Sequence, residues 1–226
     1  MINIVAVHVG DYCGRGAEYL DRLFDGVGCR LTLPWRGWCV TDDASKLPAG
    51  VEAIASDPLV KGWWNKIALF RPDALPNGER VLYFDLDVVT VGLLDELAAY
   101  QGRFAILSDF YHPDRYGSSV MAWEAGKHDH VWRVWDRCGR PQFDPWGDQR
   151  WIETMIDGAD RWQDILPGQI VSYKADRVHN GIPANARIVS FHGKPRPHEV
   201  GFIAEHIKAY DGGFVPSTIE ETVNVS

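Results

Sequence analysis

Three short stretches of this 226-residue chain carry side chains suited to binding a cation, an anion or a polyol. The first is Asp85-Leu86-Asp87, which directly follows the apolar run Arg80-Val81-Leu82-Tyr83-Phe84. Residues i and i+2 of an extended chain project to the same side. Asp85 and Asp87 can therefore face one hard divalent cation, Mn²⁺ or Mg²⁺, which takes carboxylate oxygen. Two like charges this close need compensation, and a divalent ion supplies it. The bare triplet says little: with 21 aspartates in the chain, chance alone gives about two of them. What distinguishes this one is the apolar strand that anchors it; without that anchor it would read as two solvated loop carboxylates.

The second stretch is Phe191-His192-Gly193-Lys194-Pro195-Arg196-Pro197, after the apolar run Ile188-Val189-Ser190. His192 can complete a metal shell, Gly193 permits close approach of backbone to a ligand, and Lys194 and Arg196 can neutralise phosphate oxygens. The alternative is a basic surface turn. The third stretch, Gly147-Asp148-Gln149, opens a helix. Asp148 there is either a capping and dipole-stabilising residue or, with Gln149, a hydrogen-bonding group at the mouth of an active site.

The elements that must position these groups follow from the apolar pattern. Strands are expected at Ile2–Val9, Cys29–Leu33, Trp38–Thr41, Val51–Ile54, Arg80–Phe84, Phe104–Leu107, Ser119–Trp123, Ile170–Tyr173 and Arg187–Phe191. Helices are expected at Gly16–Asp25, Lys61–Phe70 (stopped by Arg71-Pro72), Leu93–Tyr100, Asp129–Arg137, Gly147–Ile156 (with Asp144-Pro145 as its approach) and Glu199–Tyr210. The last of these reads as core, with a dimer contact or membrane-edge contact as the alternatives. The alternation predicts an α/β fold: one Rossmann-like domain over 1–211 with a mainly parallel sheet flanked by helices, then a tail over 212–226. In such sheets ligands sit beyond the C-terminal strand ends, where Asp11, Asp42-Asp43 and the Asp85/Asp87 pair fall.

Composition narrows the function classes. There are 23 Lys+Arg against 31 Asp+Glu, so no basic face is expected for nucleic acid or for an anionic membrane surface. Cys13, Cys29, Cys39 and Cys138 lack CxxC spacing and read as free thiols of a reducing compartment. The start, MINIVAVHVG, reads as a strand and not a signal peptide, and no apolar run reaches a membrane span. A cytoplasmic protein is expected, with a peripheral position at the inner face of a membrane as the variant. Ten tryptophans read mostly as core, although Trp35/Trp38, Trp63/Trp64 and Trp132/Trp135 can also line a sugar-binding groove.

Taken in order, these segments resemble the GT-A-fold glycosyltransferases of the glycogenin and lipopolysaccharide galactosyltransferase group, known as glycosyltransferase family 8. The matching stretches are HVGDYCGRGA at the first strand and nucleotide loop, Trp64-Asn65-Lys66-Ile67, VLYFDLDVVTV, Gly147-Asp148-Gln149 and SFHGKPRP, spanning roughly residues 2–200. The resemblance implies a Mn²⁺- or Mg²⁺-dependent transfer from a nucleotide-diphospho-sugar, a UDP-sugar above all, with retention of anomeric configuration. It implies Asp85, Asp87 and His192 as metal ligands, with Ser190 at the family's histidine position when Gly193 is aligned. It implies Val9, Asp11 and Tyr12 at the base or ribose, Lys66 near nucleotide or phosphates, Gly193 with Lys194 or Arg196 at the diphosphate, and Asp148 and Gln149 as catalytic-site residues facing the transferred sugar and the acceptor, which is a glycan, a lipid-linked molecule or a protein. Tyr116-Gly117-Ser118-Ser119 replaces the family's Asn-Ser-Gly.

Two other readings compete. Asp85-Leu86-Asp87-Val88-Val89 also fits the nucleophile motif of haloacid-dehalogenase-type phosphatases, with Asp85 as nucleophile and Gly147-Asp148 with Glu153 as a late acidic motif. That fold, however, begins with its nucleophile strand. A non-catalytic module binding a nucleotide sugar or glycan is the other.

Overall fold

The computed structural model describes residues 1–142 and 147–200. Strand β1 (Ile2–His8) is buried on both faces. Its alternation sends Ile2, Ile4 and Ala6 into one hydrophobic layer, and Val5 and Val7 into the other. Helix α1 (Gly16–Gly28) covers the first layer with Tyr19, Leu20, Leu23, Phe24 and Val27, each such burial stabilising by about 1.5–3 kcal/mol. Strands β2 (Trp35–Thr41) and β3 (Val51–Ala55) extend the sheet on one side of β1, and β4 (Arg80–Phe84) joins it on the other, all in parallel.

The remaining elements are β5 (Val88–Thr90), α2 (Asp95–Ala98), β6 (Phe104–Ser108), β7 (Tyr116–Glu124), α3 (His130–Arg137), α4 (Gly147–Met155), β8 (Asp160–Arg161), α5 (Trp162–Ile165), β9 (Ile170–Ser172) and β10 (Ile188–Ser190). The large sheet has the order β3-β2-β1-β4-β7-β6-β8. Only β7 runs against the others, so the expected mainly parallel α/β architecture holds. Because β7 is reversed, its first residues lie at the same rim as the last residues of β1 and β4. A second sheet, β5-β10-β9, was not foreshadowed in the pattern. It pairs Ser190 with Val88, and Phe191 N donates to Asp87 O at 3.0 Å. That pairing carries the late His192–Arg196 segment to the aspartate pair.

Several local expectations change. Cys29–Leu33 is no strand. It closes α1, with Leu31 N bonded to Val27 O, and the Asp95 carboxylate takes the amides of Thr32 and Leu33 and the Thr32 hydroxyl in place of a ladder partner. The predicted α-helix at Lys61–Phe70 is a 3₁₀ segment, Gly62–Phe70. Residues Trp64 to Phe70 are buried consecutively, which an amphipathic α-helix with one wet face cannot achieve. The Asn65 amide also ties this segment back to Val60 O (2.8 Å) and Gly62 O (3.2 Å). Asp42 and Asp43 are used locally: Asp42 accepts from Gly10 N, and Asp43 caps the turn Ala44–Lys46. The four cysteines are free. No helix among the described residues is long and apolar enough to cross a membrane. The approach at Asp144-Pro145, the 201–210 part of the expected last helix and the 212–226 tail lie outside the described residues; Pro197–Glu199 forms a short 3₁₀ turn.

Gly16 opens α1 directly against the buried His8. A Cβ at that position would lie 1.7 Å from His8 Nε2. Gly16→Ala must displace the imidazole, so its unfolding midpoint in urea should fall by the equivalent of about 1–3 kcal/mol. An unchanged midpoint would mean the ring has room to move.

Candidate active site

Beyond the rim formed by β1, β4 and β7 lies a cleft of about 730 Å³, in the size range of small-molecule sites. Val9, Asp11, Tyr12, Lys66, Asp85, Asp87, Asp148, Gln149, His192, Gly193 and Arg196 all line it. Lys194 is exposed and is not among the lining residues. A smaller cavity of about 170 Å³ adjoins it and shares Asp85, Asp87, Gln149 and His192. It adds Asp109, Phe110, Tyr111 and Ser190.

The most buried part is organised around Lys66, whose side chain is 2% exposed. Its ammonium lies 2.9 Å from Asp85 Oδ1 and 3.0 Å from Asp148 Oδ2, and donates to Ser118 Oγ at 3.0 Å. Ser118 Oγ in turn donates to Asp148 Oδ2 at 3.0 Å. Burial alone would lower the Lys66 pKa; the Asp148 and Asp85 carboxylates more than reverse this and hold it protonated. Tyr83, one step back in β4, donates its hydroxyl to Asp85 Oδ1 at 2.5 Å. Burial and then Asp85 push its pKa up, so it remains a donor. Asp85 is thus oriented from two sides by groups that cannot ionise differently near neutrality. The carboxylate of Asp148 joins this network beyond any role at the start of α4.

Asp87 is in a different setting. Its Oδ2 lies 3.3 Å from Arg196 Nη1, and the same guanidinium donates to the Tyr12 hydroxyl and sits 4.9 Å over the Tyr12 ring. Burial, then repulsion from Asp85, push the Asp87 pKa up to about 7, with Arg196 opposing. Each carboxylate has one cationic neighbour, Lys66 for Asp85 and Arg196 for Asp87, and two hard oxygen donors at one rim suit a divalent cation. The imidazole expected with them lines the same cavities but has other partners: His192 Nε2 bonds Ser172 Oγ at 2.7 Å, and the ring stacks on Phe110 at 5.6 Å. No cluster of three or more metal-ligating side chains forms among the described residues. Burial and Lys174 lower the His192 pKa. Ser190, the alternative at that position, shares a hydrogen bond with Ser119 Oγ at 3.1 Å.

Residues not singled out individually from sequence are Tyr83, two residues before Asp85, His8 at the end of β1, Ser118 near the start of β7, and Phe110 in the loop between β6 and β7. Of the tryptophans, Trp64 and Trp135 stack in the core at 6.3 Å, Trp38 donates to Asn3, and Trp35 packs on Phe24. Trp132 receives the Arg71 and Arg140 guanidinium groups. Trp63 alone of these pairs lines the cleft.

No family model matches the sequence, and no curated protein does. Solved structures do match. The galactosyltransferase LgtC in complex with donor and acceptor sugar analogues superposes with a TM-score of 0.65 at 11% identity, over 95% of this chain and 98% of that one. The bifunctional glycosyltransferase WbbM gives 0.68 at 10% identity over 94% of this chain, and the glycosyltransferase GlyE of Streptococcus pneumoniae TIGR4 gives 0.63 at 13% over 91%. This is the GT-A fold. At such identities the likeness establishes the architecture, and the GT-A resemblance expected from the motifs holds at that level. The chain spans nearly all of LgtC but 50% of WbbM and 59% of GlyE.

Proposed function

We propose that the chain is a metal-dependent glycosyltransferase that moves a sugar from a UDP-sugar to an acceptor, with retention. The observation that carries this is the Asp85/Asp87 pair at the GT-A strand rim, facing a cleft that also presents Arg196 and the Lys66–Asp148 network. Asp85 and Asp87 would hold Mn²⁺ or Mg²⁺. His192 would be the third ligand only after exchanging its Ser172 bond for the metal. The ion, when bound, acts as a Lewis acid on the diphosphate. Val9, Asp11 and Tyr12 would receive the nucleoside, and Gly193 and Arg196 the diphosphate. Lys194 would reach it only from outside the cleft.

In the reaction the bond from the anomeric carbon to the β-phosphate oxygen breaks, and that oxygen keeps the electron pair. The acceptor hydroxyl bonds to the anomeric carbon, and its proton passes to the departing phosphate. Arg196, released from Asp87, supplies fixed positive potential where this charge builds. Lys66 acts indirectly, since its ammonium is committed to Asp85 and Asp148; it positions them. Asp148, held through Oδ2, and Gln149 would orient the transferred sugar and the acceptor. The phosphatase reading finds no support, because β4 is not the first strand of this fold and the structures that share it are transferases.

A thermal-shift screen of nucleotide sugars with and without Mn²⁺ tests the proposal, because a ligand that binds only the folded state raises its melting temperature. A UDP-sugar should stabilise the protein with Mn²⁺ and much less after chelation. Protons compete with the metal at Asp87, whose pKa stands at about 7. Apparent Mn²⁺ affinity should therefore weaken about tenfold per pH unit below 7. Metal-independent shifts, or none with any nucleotide sugar, would refute the proposal.

A further inference from the structure

The described tryptophans are buried or half-buried except Trp63, which is 61% exposed. Its neighbour Trp64 is in the core. Trp63 is held on a rigid support. Gln142 accepts from Lys61 N at 2.8 Å and donates to Leu59 O at 3.1 Å, and the Asn65 amide fastens the turn from inside. The indole also lies against Gly147: a Cβ there would come 2.9 Å from Trp63 Nε1. It therefore borders the cleft on the flank of Asp148 and Gln149. The Tyr12 ring is on a different flank, packed under Arg196 beside Asp87.

A second exposed aromatic, Tyr111 at 58%, borders the smaller cavity. Its loop is pinned by Asp109 Oδ1, which accepts from the amides of Tyr111 and His112, each at 2.8 Å. Gln149 lines both cavities, as do Asp85, Asp87, Ser118 and His192, so the two exposed rings border adjoining spaces.

Resting on the glycosyl-transfer reading above, we propose that the acceptor is a saccharide whose ring stacks on Trp63, with Gln149 hydrogen-bonding its hydroxyls and Tyr111 bounding the far side. A pyranose presents partly positive C–H groups on one face and hydroxyls around its edge. The first suits the negative face of an indole, and the second suits an amide with both donor and acceptor. Carboxylates and amides in the lining argue against a lipid chain, which offers them nothing.

The test uses the full chain with the UDP-sugar that it hydrolyses best. UDP release is followed while methyl α- and β-hexopyranosides and maltose are added as acceptors. At least one saccharide should accelerate release. Trp63→Ala should raise the KM of that saccharide about tenfold, a larger factor than any change in donor KM, while Trp63→Phe should raise it less than about threefold. Melting temperatures of both variants should match the parent, because the side chain is exposed. An unchanged acceptor KM in Trp63→Ala, an equal rise in donor KM, or acceleration by a hydroxyl-bearing peptide or lipid and by no saccharide would overturn the inference. If no UDP-sugar is bound or hydrolysed, the glycosyl-transfer reading fails, and this inference with it.

Discussion

Replacing Lys66 by methionine should lower stability by about 3–5 kcal/mol, the cost of leaving a buried ion pair with one partner missing. Methionine fills a similar space but strands Asp148 and Asp85, which lie 3.0 and 2.9 Å from the ammonium. Urea denaturation measures the loss. The Lys66 pKa is raised above its usual 10.5, so the ammonium's stabilisation is full below that value and is lost as pH climbs through the raised folded pKa; burial also raises the Asp148 pKa above 3.8, so that carboxylate costs stability as pH rises from 3.8 through its folded pKa. Adding Asp148→Asn to Lys66→Met should restore part of the stability, because a neutral amide needs no counter-charge, and the double-mutant cycle should show coupling above about 1 kcal/mol. A single-mutant loss below about 1 kcal/mol would mean that water already screens the pair.

On the proposed function, Asp87→Asn should reduce UDP-sugar turnover at least a thousandfold, since removing one of the two carboxylates proposed to hold the metal forfeits roughly 4 kcal/mol of charge stabilisation in the transition state. The fold should survive. An acid whose folded pKa is raised to about 7 destabilises the folded state as pH rises from its ordinary value of 3.8 toward 7. Asparagine carries no such penalty, so the metal-free variant should melt no lower than the parent at pH 8. Asp85→Ala should also abolish turnover, but with a loss of stability, because Tyr83 and Lys66 both depend on that carboxylate. Turnover above a tenth of the parent in Asp87→Asn would sink the metal assignment.

The contrast between Asp85 and Asp87 shows where local reasoning stops. Their adjacency at the end of a buried strand was legible, because the two-residue period of extended backbone is a local property and the apolar run before them is uninterrupted. The same period sets Tyr83 beside Asp85, but nothing local says that Asp85 also belongs to Lys66 while Asp87 belongs to Arg196. Those partnerships arise from the packing of the 62–70 segment against the sheet and α4, and from the small β5-β10-β9 sheet, whose short strands carry too few residues for a periodic signal. The same sheet puts Ser172 beside His192 and gives the imidazole a partner other than the aspartates.

Trp63 and Trp64 make the point with adjacent, identical side chains. One stacks on Trp135 and the other faces the cleft; a helical pattern would have placed them one step apart on a curved face, but the 3₁₀ segment and its tether through Asn65 decided which turned inward. The α/β class, the parallel core strands and the acidic rim could be read along the chain, since periodicity and i,i+2 geometry act within a few residues. Which charges meet is settled by folding, because contacts between residues far apart in the chain depend on strand order and register, and these are properties of the whole sheet.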